Sequence, residues 1–142
     1  MSEIKVVYWS GTGNTQTMAE AVAEGIKEAG AEGKVYEVTE VSPKDLTGDK
    51  VVALGCPAMG SEVLEEDLFE PFMEELEKSL EGKVVGLFGA YGWGDGEWMR
   101  DWEERIKSHG GKLICDGVMS NEEPDDDVLR QCRDLGEKLA KA

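Results

Sequence analysis

The fold of this chain is decided by a stretch near its start, which reads Val6-Val7-Tyr8-Trp9-Ser10-Gly11-Thr12-Gly13-Asn14-Thr15. The apolar run from Ile4 to Trp9 is typical of a buried strand, and a helical pattern begins near Thr15. Small and hydroxyl residues alternate between them, so backbone N–H groups can converge on one anion at the positive end of the helix dipole. The stretch predicts a phosphate-binding turn between a strand and a helix.

This phosphate loop, residues 10–15, carries no positive charge, because the chain has no Lys or Arg between Lys5 and Lys27. A Walker nucleotide loop would need a Gly-Lys-Ser/Thr sequence, and the dinucleotide fingerprint would need a third glycine where this chain has Gln16. Neutral dipoles around a phosphate favour holding a cofactor over turning over a nucleotide.

Composition sets further limits on function. The chain has 142 residues and a formal net charge of −16, from 31 acidic and 15 basic residues. We expect a single domain over residues 1–142 that avoids nucleic acid and anionic membranes and meets partners through their Lys and Arg side chains. No apolar run approaches ~18 residues, and the cysteines lack Cys-x-x-Cys spacing. These features predict a soluble, cytoplasmic protein with reduced thiols, and we expect a monomer.

Strand and helix patterns alternate along the chain. Four apolar runs have the composition of strands covered on both faces, namely Ile4 to Trp9, Val51 to Leu54, Val84 to Phe88 and Leu113 to Cys115. A fifth and more polar run, Val35 to Thr39, is typical of an edge strand. Helical stripes fill the intervals and follow the last strand. With right-handed crossovers, this order predicts an α/β fold in which helices cover both faces of a doubly wound, five-stranded parallel sheet.

Ligands in such folds bind at the carboxyl ends of the strands. Two more loops reach that edge, Cys56 to Glu62 and Gly89 to Gly96. Met59 stands in the first of them, and Trp93 stands among glycines in the second. We expect a planar ligand between these two side chains, with surface or interface packing of Trp93 as the alternative. The other tryptophans lie on strand or helix patterns and are expected in the core; they are Trp9, Trp98 and Trp102.

Four segments, taken in order, resemble the short-chain flavodoxins of clostridia and related anaerobes. They are Val6 to Thr15, Gly55 to Glu62, Phe88 to Gly96 and Asn121 to Asp125. The resemblance covers essentially the whole chain and implies the sheet order 2-1-3-4-5 and FMN as a tightly held, noncovalent cofactor. It also implies a low-potential one-electron carrier, shuttling mainly between semiquinone and hydroquinone, that serves redox proteins with basic docking faces and has no substrate of its own.

The resemblance also assigns roles to individual residues. The residues that would contact FMN are Ser10, Gly11, Thr12, Gly13, Asn14, Thr15, Pro57, Ala58, Met59, Gly60, Glu62, Ala90, Tyr91, Gly92, Trp93 and Asn121. Within this set, the phosphate loop would hold the phosphate, Met59 and Trp93 would flank the ring, and Glu62 would accept the ring N3–H. The peptide between Met59 and Gly60 would turn over to accept a proton-bearing flavin N5, which is easy at glycine because φ > 0 is open to it.

Acidic residues gather around the same loops, and residues 51–77 and 84–99 contain no Lys or Arg. The acids are Glu62, Glu65, Glu66, Asp67, Asp95 and Glu97. A fully reduced, anionic flavin would be destabilised by them, by ~1 kcal/mol or less for each partly exposed carboxylate. A merely solvated acidic surface is the alternative interpretation.

Other functions for the same fold need residues that this chain lacks. A low-molecular-weight phosphatase needs a nucleophilic Cys followed closely by Arg, whereas Cys56 leads to Glu62 with no Arg nearby. A receiver module needs paired acids after the first strand, where this chain has Ser10 and Gly11. An FMN-dependent quinone reductase or a ribonucleotide-reductase-activating flavoprotein stays open as the alternative.

Overall fold

A computed structural model describes residues 3–60 and 62–142. Its parallel sheet contains β1 (Glu3–Tyr8), β2 (Glu32–Glu37), β3 (Val51–Gly55), β4 (Val84–Tyr91), β5 (Lys112–Leu113) and β6 (Val118–Asn121). The order is β2-β1-β3-β4-β5, and β6 also pairs with β4. Because Phe88 faces Gly55 on one side and Val118 on the other, β5 and β6 share the edge of β4 remote from β3. The predicted strand order 2-1-3-4-5 is confirmed.

Helices cover both faces of the sheet. They are α1 (Asn14–Glu28), α2 (Phe69–Leu76), α3 (Glu97–Ser108) and α4 (Asp126–Ala140), with short 3-10 turns at Val38–Glu40, Pro43–Leu46 and Glu77–Ser79. The stripes of α1 and α4 pack with Val6 and Phe88 in one buried cluster. Those of α2 and α3 pack with Val7 and Leu87 in another. In the described residues, no helix is both long enough and apolar enough to cross a lipid bilayer.

Two tryptophans of α3 belong to the core, as expected. Trp98 and Trp102 are each only 1% exposed, and the Trp102 ring meets Phe69 edge-on at a centroid distance of 5.6 Å. Trp9 is partly buried and packs against the same cluster, with its ring over Gly11 of the phosphate loop. Helix α3 is thereby fixed against α2 directly below the carboxyl edge of the sheet.

The last strand differs from its prediction at Leu113 to Cys115. The structure divides it into β5 and β6, because the chain leaves the sheet after Ile114 donates to the Val85 oxygen at 3.0 Å. Gly117 then donates its N–H to the Glu103 carboxylate of α3 at 2.7 Å, and the Met99 side chain fills the space beside it. A helix side chain therefore competes with the sheet for this segment, which a short apolar run cannot reveal.

Candidate functional site

The carboxyl edge of the sheet brings the predicted segments together. The N–H of Trp9 donates to the Gly55 oxygen at 3.0 Å, so the phosphate loop leaves the sheet beside the loop after β3. That loop follows β4 in turn, since the N–H of Ala58 donates to the Ala90 oxygen at 3.0 Å. Asn121 pairs with Tyr91 at the end of β6. The segments carrying the predicted site residues therefore converge at one edge; Ser61, between Gly60 and Glu62, lies outside the described residues.

The phosphate loop is a tight turn closed by its own side chain. The Ser10 hydroxyl oxygen accepts the N–H of Gly13 at 3.0 Å, and Gly13 adopts φ 95°, a conformation that favours glycine. Helix α1 begins immediately afterwards, at Asn14. The first N–H groups of a helix have no partner within it, so they are available to an anion in front of the loop. The geometry is that of a phosphate site built from neutral donors.

Thr15 connects this loop to the neighbouring strand end. The residue is 1% exposed, and its hydroxyl oxygen accepts the backbone N–H of Ala90 at 3.4 Å. A hydroxyl group that accepts one hydrogen bond still has its own hydrogen to donate. Thr15 can therefore hold β4 and a bound anion at the same time.

The loop after β3 forms a narrow turn with Gly60 at its tip. The N–H of Met59 donates to the Val63 oxygen at 2.9 Å, and the N–H of Glu62 donates to the Met59 oxygen at 2.8 Å. Glu62 adopts φ 52°, which is unusual for a residue with a side chain and is often found at functional sites. A Cβ added to Gly60 would meet nothing within 4 Å. The tip is therefore free of packing, while its two limbs are held together.

The loop after β4 contacts this turn through Glu62. The Glu62 carboxylate accepts the N–H of Glu97 at 3.2 Å, at the first residue of α3. A Cβ on Gly94 would collide with the same carboxylate, so only glycine allows this approach. The two loops expected on either side of a planar ligand are thus joined on the protein side by one carboxylate and the positive end of a helix.

The two side chains expected to flank the ligand differ in exposure. Trp93 is 63% exposed, an unusual position for a large apolar ring, whereas Met59 is partly buried. Behind them, the Tyr91 ring packs on Trp98 at a centroid distance of 5.5 Å, and the Trp98 indole N–H donates to the Cys56 oxygen at 3.1 Å. Rigid aromatic packing therefore supports the rear of the site, while Trp93 presents its surface outward.

The remaining predicted contacts line the same edge in graded exposure. Ala90 is buried, Pro57 and Ala58 are partly buried, and Gly92 and Asn121 are exposed. Within the phosphate loop, Gly11 and Thr12 are exposed and Asn14 is partly buried. The arrangement provides a buried floor, an accessible surface and several polar groups, which suits a ligand with an anionic end and a flat apolar end.

The acids around the site do not all belong to one class. Glu66, Asp67, Asp95 and Glu97 are exposed, and Asp95 pairs with Arg100 at 3.0 Å, raising the pKa of that guanidinium. Glu65 was expected among the partly exposed carboxylates, and that expectation was wrong. It is 6% exposed, and its carboxylate accepts three backbone N–H groups, from Asp67, Leu68 and Phe69. The signal that could have found it is an acid placed just before the apolar start of a helix.

Cys56 has the properties of a structural residue and not of a nucleophile. Its side chain is fully buried, and burial raises the pKa of its thiol well above the ordinary value. The sulfur accepts the N–H of Glu65 at 3.4 Å. A thiolate is the reactive form of cysteine, so this environment suppresses reactivity.

A second concave region lies at the opposite, amino edge of the sheet and has a volume of about 680 Å³. Its lining includes Lys5, whose ammonium group is neutralised by Asp49 at 2.8 Å and Glu3 at 3.4 Å. None of the predicted site residues lines it. The chemistry-bearing loops are therefore all at the other end of the strands.

The fold and the site together define a class: a doubly wound α/β protein that binds a phosphorylated, planar cofactor at the carboxyl edge of its sheet. Comparison with known proteins agrees, because the model of the flavodoxin family matches residues 6–136. The flavodoxin of Clostridium beijerinckii is 47% identical over 137 residues, covering 96% of this chain and 99% of that protein. The flavodoxin of Megasphaera elsdenii is 45% identical over 139 residues, covering 98% and 99%.

Structural comparison gives the same result. The solution structure of two-electron reduced Megasphaera elsdenii flavodoxin superimposes with a TM-score of 0.90 and covers 98% of this chain and 99% of that one. This chain belongs to the flavodoxin family. It is accordingly an electron-transfer protein that binds FMN, and not an enzyme.

Proposed function

We propose that this chain is a low-potential carrier that moves one electron at a time, mainly between the one-electron-reduced and the fully reduced states of its FMN. The observation that carries the proposal is the convergence of three loops at one sheet edge, joined through Thr15 to Ala90 and through Glu62 to Glu97. FMN supplies the redox chemistry, because its ring accepts electrons one at a time. The protein residues bind the cofactor, orient it and set the energies of its states.

The phosphate loop fits the anionic end of FMN. Ser10, Thr12, Asn14 and Thr15 offer side-chain donors, Gly11 and Gly13 allow close approach of the backbone, and α1 adds its N-terminal N–H groups. No lysine or arginine lies within residues 6–26, so the phosphate would keep its charge. That charge would be held by dipoles alone, which suits a cofactor that stays bound.

The ring would lie between Met59 and Trp93. A partly buried thioether on one face and an exposed indole on the other would cover both sides of an isoalloxazine, with stacking worth ~1 kcal/mol beyond area burial. The Glu62 carboxylate would accept the ring N3–H while keeping the N–H of Glu97. The Met59–Gly60 peptide would turn its oxygen toward N5, because the tip of that loop meets no packing. Further contacts along the ribityl chain and ring edge would come from Pro57, Ala58, Ala90, Tyr91, Gly92 and Asn121.

The same edge supplies a surface for redox partners. The large hydrophobic residues that are exposed in the described ranges all lie there, and they are Val63, Leu68, Trp93 and Met119. Exposed carboxylates of Glu66, Asp67 and Asp95 stand among them. A partner that presents lysine and arginine around an apolar centre would match this face, and charge would steer its approach. We infer cytoplasmic redox proteins with basic docking faces as donor and acceptor.

The test is a reductive titration of the protein reconstituted with FMN. We expect a yellow protein that passes through a blue one-electron state before bleaching, with two well-separated potentials of which the second is the lower. Uptake of both electrons at one potential, or failure to bind FMN, would overturn the proposal. Oxidation of NAD(P)H without an added reductase would instead favour the quinone reductase alternative.

A further inference from the structure

Glu65 is a buried acid beside the FMN site whose bonding is complete within the protein. One carboxylate oxygen accepts the N–H groups of Leu68 and Phe69 at 2.8 Å each, and the other accepts that of Asp67 at 2.9 Å. Phe69 is the first residue of α2, so the charge also faces the positive end of a helix. The carboxylate therefore closes the start of α2 from below.

The backbone of Glu65 ties the same point to β3. Its N–H donates to the sulfur of Cys56 at 3.4 Å, and its oxygen accepts the N–H of Glu70 at 2.8 Å. Cys56 immediately follows β3, and its own N–H donates to the Phe88 oxygen of β4 at 3.1 Å. The segment from Cys56 to Glu65 is thus a loop closed at its base, with one end fixed to the sheet and the other fixed to α2.

Met59, Gly60 and Glu62 all lie inside this closed loop. The limbs are held a second time by the Met59 to Val63 bond, whereas Gly60 at the tip meets no packing. Any rearrangement of the Met59–Gly60 peptide is therefore confined to the tip only as long as the base stays closed. If the base opened, the whole loop would gain conformations and the tip would no longer be held in register with the ring.

We propose that Glu65 is a positioning residue that fixes the base of the Cys56–Glu65 loop, so that the conformational change linked to the flavin is restricted to its tip. This inference rests on the proposed function for the roles of Met59, Gly60 and Glu62. It separates Glu65 from Glu66, the exposed acid next to it, which can act on the flavin only through its charge. Charge acts over distance and is screened by salt, whereas three short hydrogen bonds are not.

The experiment compares Glu65→Gln and Glu65→Ala with Glu66→Gln as the matched control. Glu65→Gln and Glu66→Gln remove the same charge from adjacent positions, so any purely electrostatic effect is common to both. In the apo-protein, amide hydrogen exchange is measured at Leu68 and Phe69 and, within the loop, at Met59 and Glu62. With FMN added, its dissociation constant and both midpoint potentials are measured at low and high salt.

We expect Glu65→Ala to speed exchange at all four amides and to weaken FMN binding, each by about tenfold or more, because buried N–H groups lose their acceptor. Glu65→Gln should act in the same direction to a smaller extent, since one oxygen is retained. Glu66→Gln should leave exchange unchanged. The excess shift in potential of the Glu65 variants over Glu66→Gln should persist in salt.

Three results would overturn the proposal. Faster exchange at Leu68 and Phe69 with no change at Met59 and Glu62 would make Glu65 a helix cap that does not act on the loop. Equal, salt-sensitive potential shifts in Glu65→Gln and Glu66→Gln would reduce Glu65 to a charge. Loss of folding in Glu65→Gln, a change that preserves side-chain shape, would assign Glu65 to global stability. Because exchange is read in the apo-protein, the outcome is independent of whether the proposed electron-carrier function holds.

Discussion

The hydroxyl oxygen of Thr15 accepts the backbone N–H of Ala90 at 3.4 Å and so joins the first turn of α1 to the end of β4. Thr15 belongs to the set expected around the phosphate, and Ala90 to the set expected along the ribityl chain or ring edge. The contact is buried and joins positions far apart in the chain. The two ends of the FMN site therefore share one rigid connection.

The first prediction concerns this connection. Thr15→Val keeps the shape of the side chain but leaves the Ala90 N–H without its acceptor, so we expect a loss of ~1–3 kcal/mol in the free energy of unfolding of the apo-protein. Thr17→Val makes the same chemical change at an exposed position of the same helix and should cost ~0.5 kcal/mol or less. Urea denaturation measures both. Equal stability of the two variants would show that the Thr15 bond contributes nothing.

The second prediction concerns the tip of the loop after β3. Gly60 has ample space for a Cβ, and its φ lies outside the positive range in this conformation, so Gly60→Ala should leave the free energy of unfolding nearly unchanged. Alanine disfavours positive φ, which glycine adopts freely, and so should hinder the turnover of the Met59–Gly60 peptide. We expect a lower yield of one-electron-reduced protein in a reductive titration. Gly48→Ala, also made in open space but remote from the site, is the control, and an unchanged yield in Gly60→Ala would remove Gly60 from the redox response.

The third prediction concerns the exposed acids. Replacing Glu66, Asp95 and Glu97 by their amides removes negative charge near the reduced ring, so we expect the second midpoint potential to rise by the equivalent of ~1 kcal/mol or less per residue. The shift should shrink as salt is added. The same change at the exposed acids of the opposite edge provides the control, made at Glu28, Glu81 and Glu137. A shift of equal size in that control would mean that only total charge matters.

The fourth prediction concerns the thiols. Burial raises the pKa of the Cys132 thiol to about 12 and that of Cys56 well beyond its usual range, while Cys115 is only partly buried and its pKa is raised less. Alkylation of the native protein near pH 8.5 should therefore modify Cys115 first and the other two only after unfolding, with the Cys115 rate still rising as pH increases. Peptide mass spectrometry measures the order. Modification of Cys132 as fast as Cys115 would contradict the burial-based ranking.

Local patterns were enough to predict the order of elements. Continuous apolar runs are typical of strands covered on both faces, and the stripes of α1 and α4 repeat at the helical period, so both are visible in short windows of sequence. The phosphate loop was predictable for the same reason, since it needs only small residues between a strand and a helix. Its neighbours at the sheet edge followed from one topological rule, that parallel strands present their carboxyl ends on the same side.

Contacts between distant segments were decided by the tertiary structure. No local pattern indicates that Glu65 is buried under the start of α2, that Glu62 reaches the N–H of Glu97, or that Glu103 draws Gly117 away from the last strand. Each of these carboxylates takes a backbone N–H that folding would otherwise have left unpaired, and which carboxylate is in reach depends on packing between helices and loops. The sequence by itself thus determined the layers and the loops of the site, whereas only the folded chain determined which acids hold those loops in place and which remain in solvent.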